Sequence, residues 1–137
     1  MKKILLFITF IFSGMCFAQE ATPLTANSQE DNTIYNASGV EKPAEFPGGI
    51  QEFYKYIGKN FIVPENKEFK GGKVYVSFVI EKDGRLADVK VLRDAGFGSG
   101  GEAIRVIKGS PNWIPAKQRD IPVRCQYMLP ISLHSGN

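Results

Sequence analysis

The chain has 137 residues, 43% of them hydrophobic, enough for one domain with a real core and too few for two. Its 17 basic and 14 acidic residues leave a net charge of +3, and no run of Lys and Arg is interleaved with aromatics, which excludes a nucleic-acid footprint. With two cysteines and one histidine in the whole chain, a clustered Cys/His metal centre has too few ligands to draw on.

Taken in chain order, residues 1–18 (MKKILLFITFIFSGMCFA) start on Lys2 and Lys3 and run apolar from Ile4 to Phe12. Cys16-Phe17-Ala18 resembles a signal-peptidase site, so cleavage between Ala18 and Gln19 and export to the periplasm are expected. The apolar run falls short of the ~20 residues that a bilayer span needs, so an inner-membrane anchor is the weaker alternative. Export would leave Cys125 as the lone cysteine, with no intramolecular disulfide to form. Residues 19–42 are polar and show no apolar period, the composition of a flexible leader.

From Pro43 the pattern becomes regular. Ile50, Phe53, Tyr54, Ile57 and Phe61 recur at spacings of three and four and predict one helix, with Pro64 just beyond its end. In the stretch after Gly71-Gly72, Val74, Val76, Phe78 and Ile80 alternate with Tyr75, Ser77 and Val79, the period of a half-buried strand. Asp83-Gly84 predicts a type I′ hairpin turn, and the return strand turns Val89 and Val91 inward. A glycine-rich loop leads into a second helix marked by Ala103, Ile104 and Ile107 and stopped at Gly109. SPNWIPAKQRDIP reads as an irregular connector around Trp113. In the last strand Val123, Cys125, Tyr127, Leu129, Ile131 and Leu133 share one face. The order α-β-β-α-β predicts an α+β fold, a small three-stranded antiparallel sheet packed against two helices.

Gly96, Gly98 and Gly101 spell the G-x-G-x-x-G of a dinucleotide-binding turn. That motif needs a parallel βαβ unit, and here it follows the second arm of a hairpin. Ser99 and Glu102 supply a more economical reading, a capping box at the start of the second helix. Other chemistry is equally thin. His134 lies in the C-terminal tail, Cys125 falls on an apolar face, Glu81 and Asp83 flank the hairpin turn, and Ser77 and Ser99 lack a histidine partner. No enzyme is expected, and no cofactor or metal.

The segments PAEFPGG, NFIVP, GGKVYVSFVIEKDGRLADVKVLRD, EAIRVIK and SPNWIPAKQRDIPVRCQYMLPISL, in this order and spacing, resemble the C-terminal domain of TonB in its Bacteroidetes form. The resemblance covers residues 43–135. Val63-Pro64 stands where that family has Tyr-Pro, and residues 1–18 lack the histidine of the family's membrane anchor.

The resemblance implies a domain of Gram-negative envelopes that grips the TonB box of outer-membrane receptors by adding it as a strand, in energy-coupled transport. By position the binding strand is Val123, Arg124, Cys125, Gln126, Tyr127, Met128, Leu129, Pro130 and Ile131, lying at the sheet edge. Arg124, Gln126 and Met128 would face away from the core and contact the partner. Trp113, Lys117 and Arg119 are expected as accessory contacts. The partner would be a TonB-dependent receptor or another envelope protein, with peptidoglycan or a second copy of the chain as alternatives and no nucleic acid. A short anchored transducer is the alternative to a soluble binding domain.

Overall fold

The computed structural model describes residues 31–135, so the expected signal segment ending at Ala18 and the first part of the leader lie outside the described residues. Eight elements follow in chain order: β1 (Ile34–Asn36), α1 (Ile50–Asn60), β2 (Gly72–Ile80), β3 (Leu86–Arg93), α2 (Ser99–Lys108), β4 (Lys117–Gln118), β5 (Ile121–Pro122) and β6 (Arg124–Leu133). The three antiparallel strands and two helices expected from the periodicities are present as β6-β2-β3, α1 and α2. The sheet has a fourth member, because β1 joins it and makes the order β1-β6-β2-β3. That added pairing is parallel, with Ile34 opposite Arg124 and Asn36 opposite Gln126. The sheet is therefore mixed, and residues 31–42, read from composition as flexible leader, contribute a strand to it.

Both helices cover one face of the sheet. Val74, Val76, Phe78 and Ile80 of β2 meet Cys125, Leu129, Ile131 and Leu133 of β6 beneath Phe53 and Ile57 of α1 and Ala103, Val106 and Ile107 of α2. Alternation along each strand sends these residues inward, and the two longest strands sit at the centre of the sheet. Trp113 closes the core between the layers, 4.8 Å from Phe53 and 5.4 Å from Tyr127 between ring centroids. At 3% exposure it is an interior residue, and it borders a small cavity together with Tyr127.

Two turns differ from their sequence reading. At the β2–β3 hairpin only Gly84 has positive φ, and Gly84 N–H donates to the Glu81 carbonyl. This is a type I turn followed by a left-handed glycine, not type I′. A Cβ at Gly84 would run into the Trp113 carbonyl oxygen, so the position demands glycine for space as well as for φ. The two successive positive φ angles of a type I′ turn occur instead at Arg119 (51°) and Asp120 (61°), which join β4 to β5 within the stretch expected to be irregular.

Candidate functional site

The outer edge of β6 is the candidate site, and its hydrogen-bonding sense follows from one bond. Ala37 N–H donates to the Gln126 carbonyl at 3.2 Å, so the backbone of Gln126 faces away from β2. Backbone direction alternates along a strand, so Met128, Pro130 and Ser132 present their groups to the same side. Their partners across β2 are Ser77, Tyr75 and Lys73, pairs that exchange no ladder bonds. Pro130 thus sits where its missing N–H costs β2 nothing, which is how a proline is accommodated inside this strand.

The edge is divided. β1 occupies it opposite Arg124, Cys125 and Gln126, and the chain then turns away, with Gly39 N–H donating to the Asn36 carbonyl at 2.8 Å. From Met128 to Ser132 the edge carries no paired strand among the described residues. The sequence expectation that the whole of Val123–Ile131 is an edge is therefore corrected: its first half lies between β1 and β2. Val123 precedes the strand, is buried, and donates its N–H to the Ala116 carbonyl.

Side chains sort as the alternation requires. Cys125, Leu129 and Ile131 are buried under the helices, Tyr127 is half-buried there, and Gln126, Met128 and Pro130 face solvent on the opposite side. Burial pushes the Cys125 thiol up, away from the reactive thiolate, and does the same to the Tyr127 phenol. Tyr127 stacks on Phe78 at 5.7 Å and lines a cavity of about 210 Å³ with Pro43, Phe46, Ile50 and Trp113. Ile50 and Tyr54 belong to the apolar face predicted for α1, yet they stand 38% and 45% exposed. That face is wider than the core it covers, and its surplus lies toward Tyr127. A larger depression of about 430 Å³ lies between residues 63–69 and Ser135, away from the β1 half of the edge.

Arg124, expected as a partner contact, is already engaged. Its guanidinium meets the Glu81 carboxylate through Nε–Oε2 at 2.9 Å and a second nitrogen to Oε1 at 3.0 Å, and it donates to the Asn32 carbonyl at 3.3 Å. Glu81 is thus a structural partner rather than a solvated turn carboxylate. Lys117 exchanges backbone bonds with Lys42, and Arg119 N–H donates to the Glu41 carboxylate at 3.1 Å. Both belong to the ribbon that fastens the end of the N-terminal segment, and neither lies on β6.

The glycine loop has its own anion. Asp94 accepts from Gly96 N–H at 2.6 Å and from the Ser99 hydroxyl at 2.8 Å, and these bonds hold its carboxyl below the usual range. A carboxylate at the start of α2 occupies the place where a phosphate would sit. The expected capping box is absent: Gly98 is the N-cap, and no side chain caps it. Ser99 is turned to Asp94, while the Glu102 carboxylate accepts from Ile62 N–H at 2.8 Å and pairs with Arg105. Among the described residues no three His, Cys, Asp or Glu side chains converge as metal ligands would.

Sequence reasoning missed the occupant of the edge. Ile34-Tyr35, a β-branched and an aromatic residue together in a polar segment, was its only local signal. Among the described residues no helix is long and apolar enough to cross a membrane. A family model for the C-terminal of the Gram-negative bacterial TonB protein matches residues 65–133, which begin after α1 and end with β6. No curated protein and no solved structure matches the chain.

Proposed function

This chain belongs to the TonB C-terminal family, a transport-associated group of the cell envelope, and on that premise we propose that it docks an extended segment of an outer-membrane receptor by strand addition to β6. The observation that carries this reading is the open stretch of edge from Met128 to Ser132. It offers the N–H and C=O of Met128 and Ser132 and the C=O of Pro130, next to the apolar cavity formed by Tyr127, Ile50 and Phe46. Main-chain bonds would supply affinity at any sequence, and the cavity would select an apolar side chain on the helix-facing side of the added strand. The protein acts as a binding domain on the periplasmic side of the envelope, without catalysis.

Titration of the isotope-labelled protein with a synthetic TonB-box peptide tests the reading. Saturable amide shifts centred on Met128 and Ser132 are expected. Shifts confined to other surfaces, or retention on purified cell-wall sacculi without any peptide binding, would overturn it. Export has its own test: the periplasmic form is expected to begin at Gln19, and an intact Met1 chain in the inner membrane would mark an anchored transducer instead.

A further inference from the structure

We propose that residues Thr33–Ala37 are a resident strand on the docking edge of β6, and that a partner reaches the Arg124–Gln126 half of that edge only by displacing them. The inference rests on the strand-addition reading above. Three observations carry it.

First, β1 sits on the same row of backbone groups that the free stretch continues. Arg124 and Gln126 face β1, and Met128, Pro130 and Ser132 extend that row toward the C-terminus. Because Asn36 turns the chain away immediately after Gln126, β1 cannot lengthen to cover the rest. One edge is thus half covered by the chain itself.

Second, β1 is held lightly. It is three residues long, Ile34 is 43% exposed, and Asn36 faces solvent, so only Tyr35 and Ala37 pack against the core. The Tyr35 hydroxyl is tied only to Asp31 of the same segment, at 3.3 Å. Short, solvent-exposed edge elements are the ones that open without global unfolding.

Third, the segment is anchored just beyond the part that would peel. Lys42 exchanges two backbone bonds with Lys117, at 3.1 and 2.9 Å, and the Glu41 carboxylate and amide bond Arg119 and Gln118. Release of residues 33–37 therefore leaves the strand tethered beside its site, where its effective concentration opposes any strand arriving from solution. Partner affinity is set by what remains after that competition.

The test uses the full chain and one probe, a synthetic peptide of residues 31–39 added in trans. Tyr35→Pro combined with Ala37→Pro removes the β1 donors facing β6 without altering β6. The opened variant is expected to bind the peptide at least ten-fold more tightly than the unaltered chain, with amide shifts at Gln126 and Met128. Equal affinity in the two chains would overturn displacement and leave strand addition standing. Binding to neither would also overturn displacement, since the vacated Arg124–Gln126 half would then accept no strand, while the Met128–Ser132 half is judged separately by the TonB-box titration. Native-state hydrogen exchange of the unaltered chain gives an independent readout. The Ala37 amide is expected to exchange at least a hundred-fold faster than that of Val76 in β2, and equal protection would overturn the proposal.

Discussion

Arg124 and Glu81 face each other across the β6–β2 boundary in a two-point pair, 2.9 and 3.0 Å, with both side chains only about a quarter exposed (22% and 24%). The same guanidinium reaches the Asn32 carbonyl, so one ion pair joins the end of β2, the start of β6 and the residues ahead of β1. Such an arrangement exceeds an ordinary surface pair because the geometry is fixed and water is partly excluded. Glu81→Gln keeps the shape and removes the charge. It is expected to destabilise the fold by about 1 kcal/mol and to raise exchange at Tyr35 and Ala37 more than at Val76. Urea unfolding and amide exchange on the same variant check this; uniform acceleration at all three amides would mean that the pair supports the sheet and not β1.

Two glycines, one in the hairpin turn and one inside α2, should respond in opposite directions. Gly84 has φ 86°, and an added Cβ would meet the Trp113 carbonyl carbon and oxygen. Gly84→Ala is therefore expected to cost about 2–4 kcal/mol, the range for backbone strain compounded by a clash with main chain. Gly101 lies inside α2 with no atom within 4 Å of its would-be Cβ, and its φ is not positive. Gly101→Ala should stabilise by about 0.5–1 kcal/mol.

The parts of the fold legible in the sequence are those with a local period. Val74 to Ile80 and Val123 to Leu133 alternate on their own, and Phe53 and Ile57 mark α1, because burial on one face imposes a repeat on adjacent residues. What was not legible depends on distant partners. Ile34 to Asn36 are too short to show a period, and their pairing partners lie some ninety residues later. Ser99 and Glu102 have the spacing of a capping box, yet Asp94 and Ile62 compete successfully for the same groups. Arg119-Asp120 adopts the type I′ turn with neither glycine nor asparagine, held by the Lys117–Pro122 register and the Glu41 bond rather than by local preference. The β6 edge itself was legible as a strand with a proline in it; that half of it is covered was not.

Asp94 should give the loop an acid dependence. Its carboxylate accepts from the buried Ser99 hydroxyl and from Gly96 N–H, which lowers its folded pKa below the ordinary value of 3.8. Stability from these bonds is complete above that value and is lost as pH falls from it through the lower, folded pKa. Asp94→Asn is expected to lower the urea midpoint at pH 7 and to flatten its decline between about pH 5 and pH 2. Asp31, Glu52, Asp83 and Glu102 are lowered in the same sense, so the variant keeps a residual slope and the informative quantity is the difference from the unaltered chain. Parallel curves displaced by a constant would mean that Asp94 acts through shape and not through its charge.

Adjacent proline substitutions in β6 should separate docking from folding. Met128 faces the free edge, is 60% exposed, and stands opposite Ser77 in a pair without ladder bonds. Met128→Pro deletes a donor that β2 does not use, so it should cost less than about 1 kcal/mol of stability, as edge prolines do. With Pro130 already unable to donate, only Ser132 would remain as an N–H on the open stretch, and TonB-box peptide affinity should fall at least ten-fold, about 1.4 kcal/mol. Leu129 is buried and directly hydrogen-bonded to Val76 in the register of the central pair. Leu129→Pro should remove a ladder bond and core packing together, about 3 kcal/mol or more, and leave little folded protein to bind anything. Denaturant titration and peptide binding on both variants read the two effects apart. If Met128→Pro bound as the unaltered chain does, the partner would have to use another face, and the open stretch beside Tyr127 would lose its assigned role.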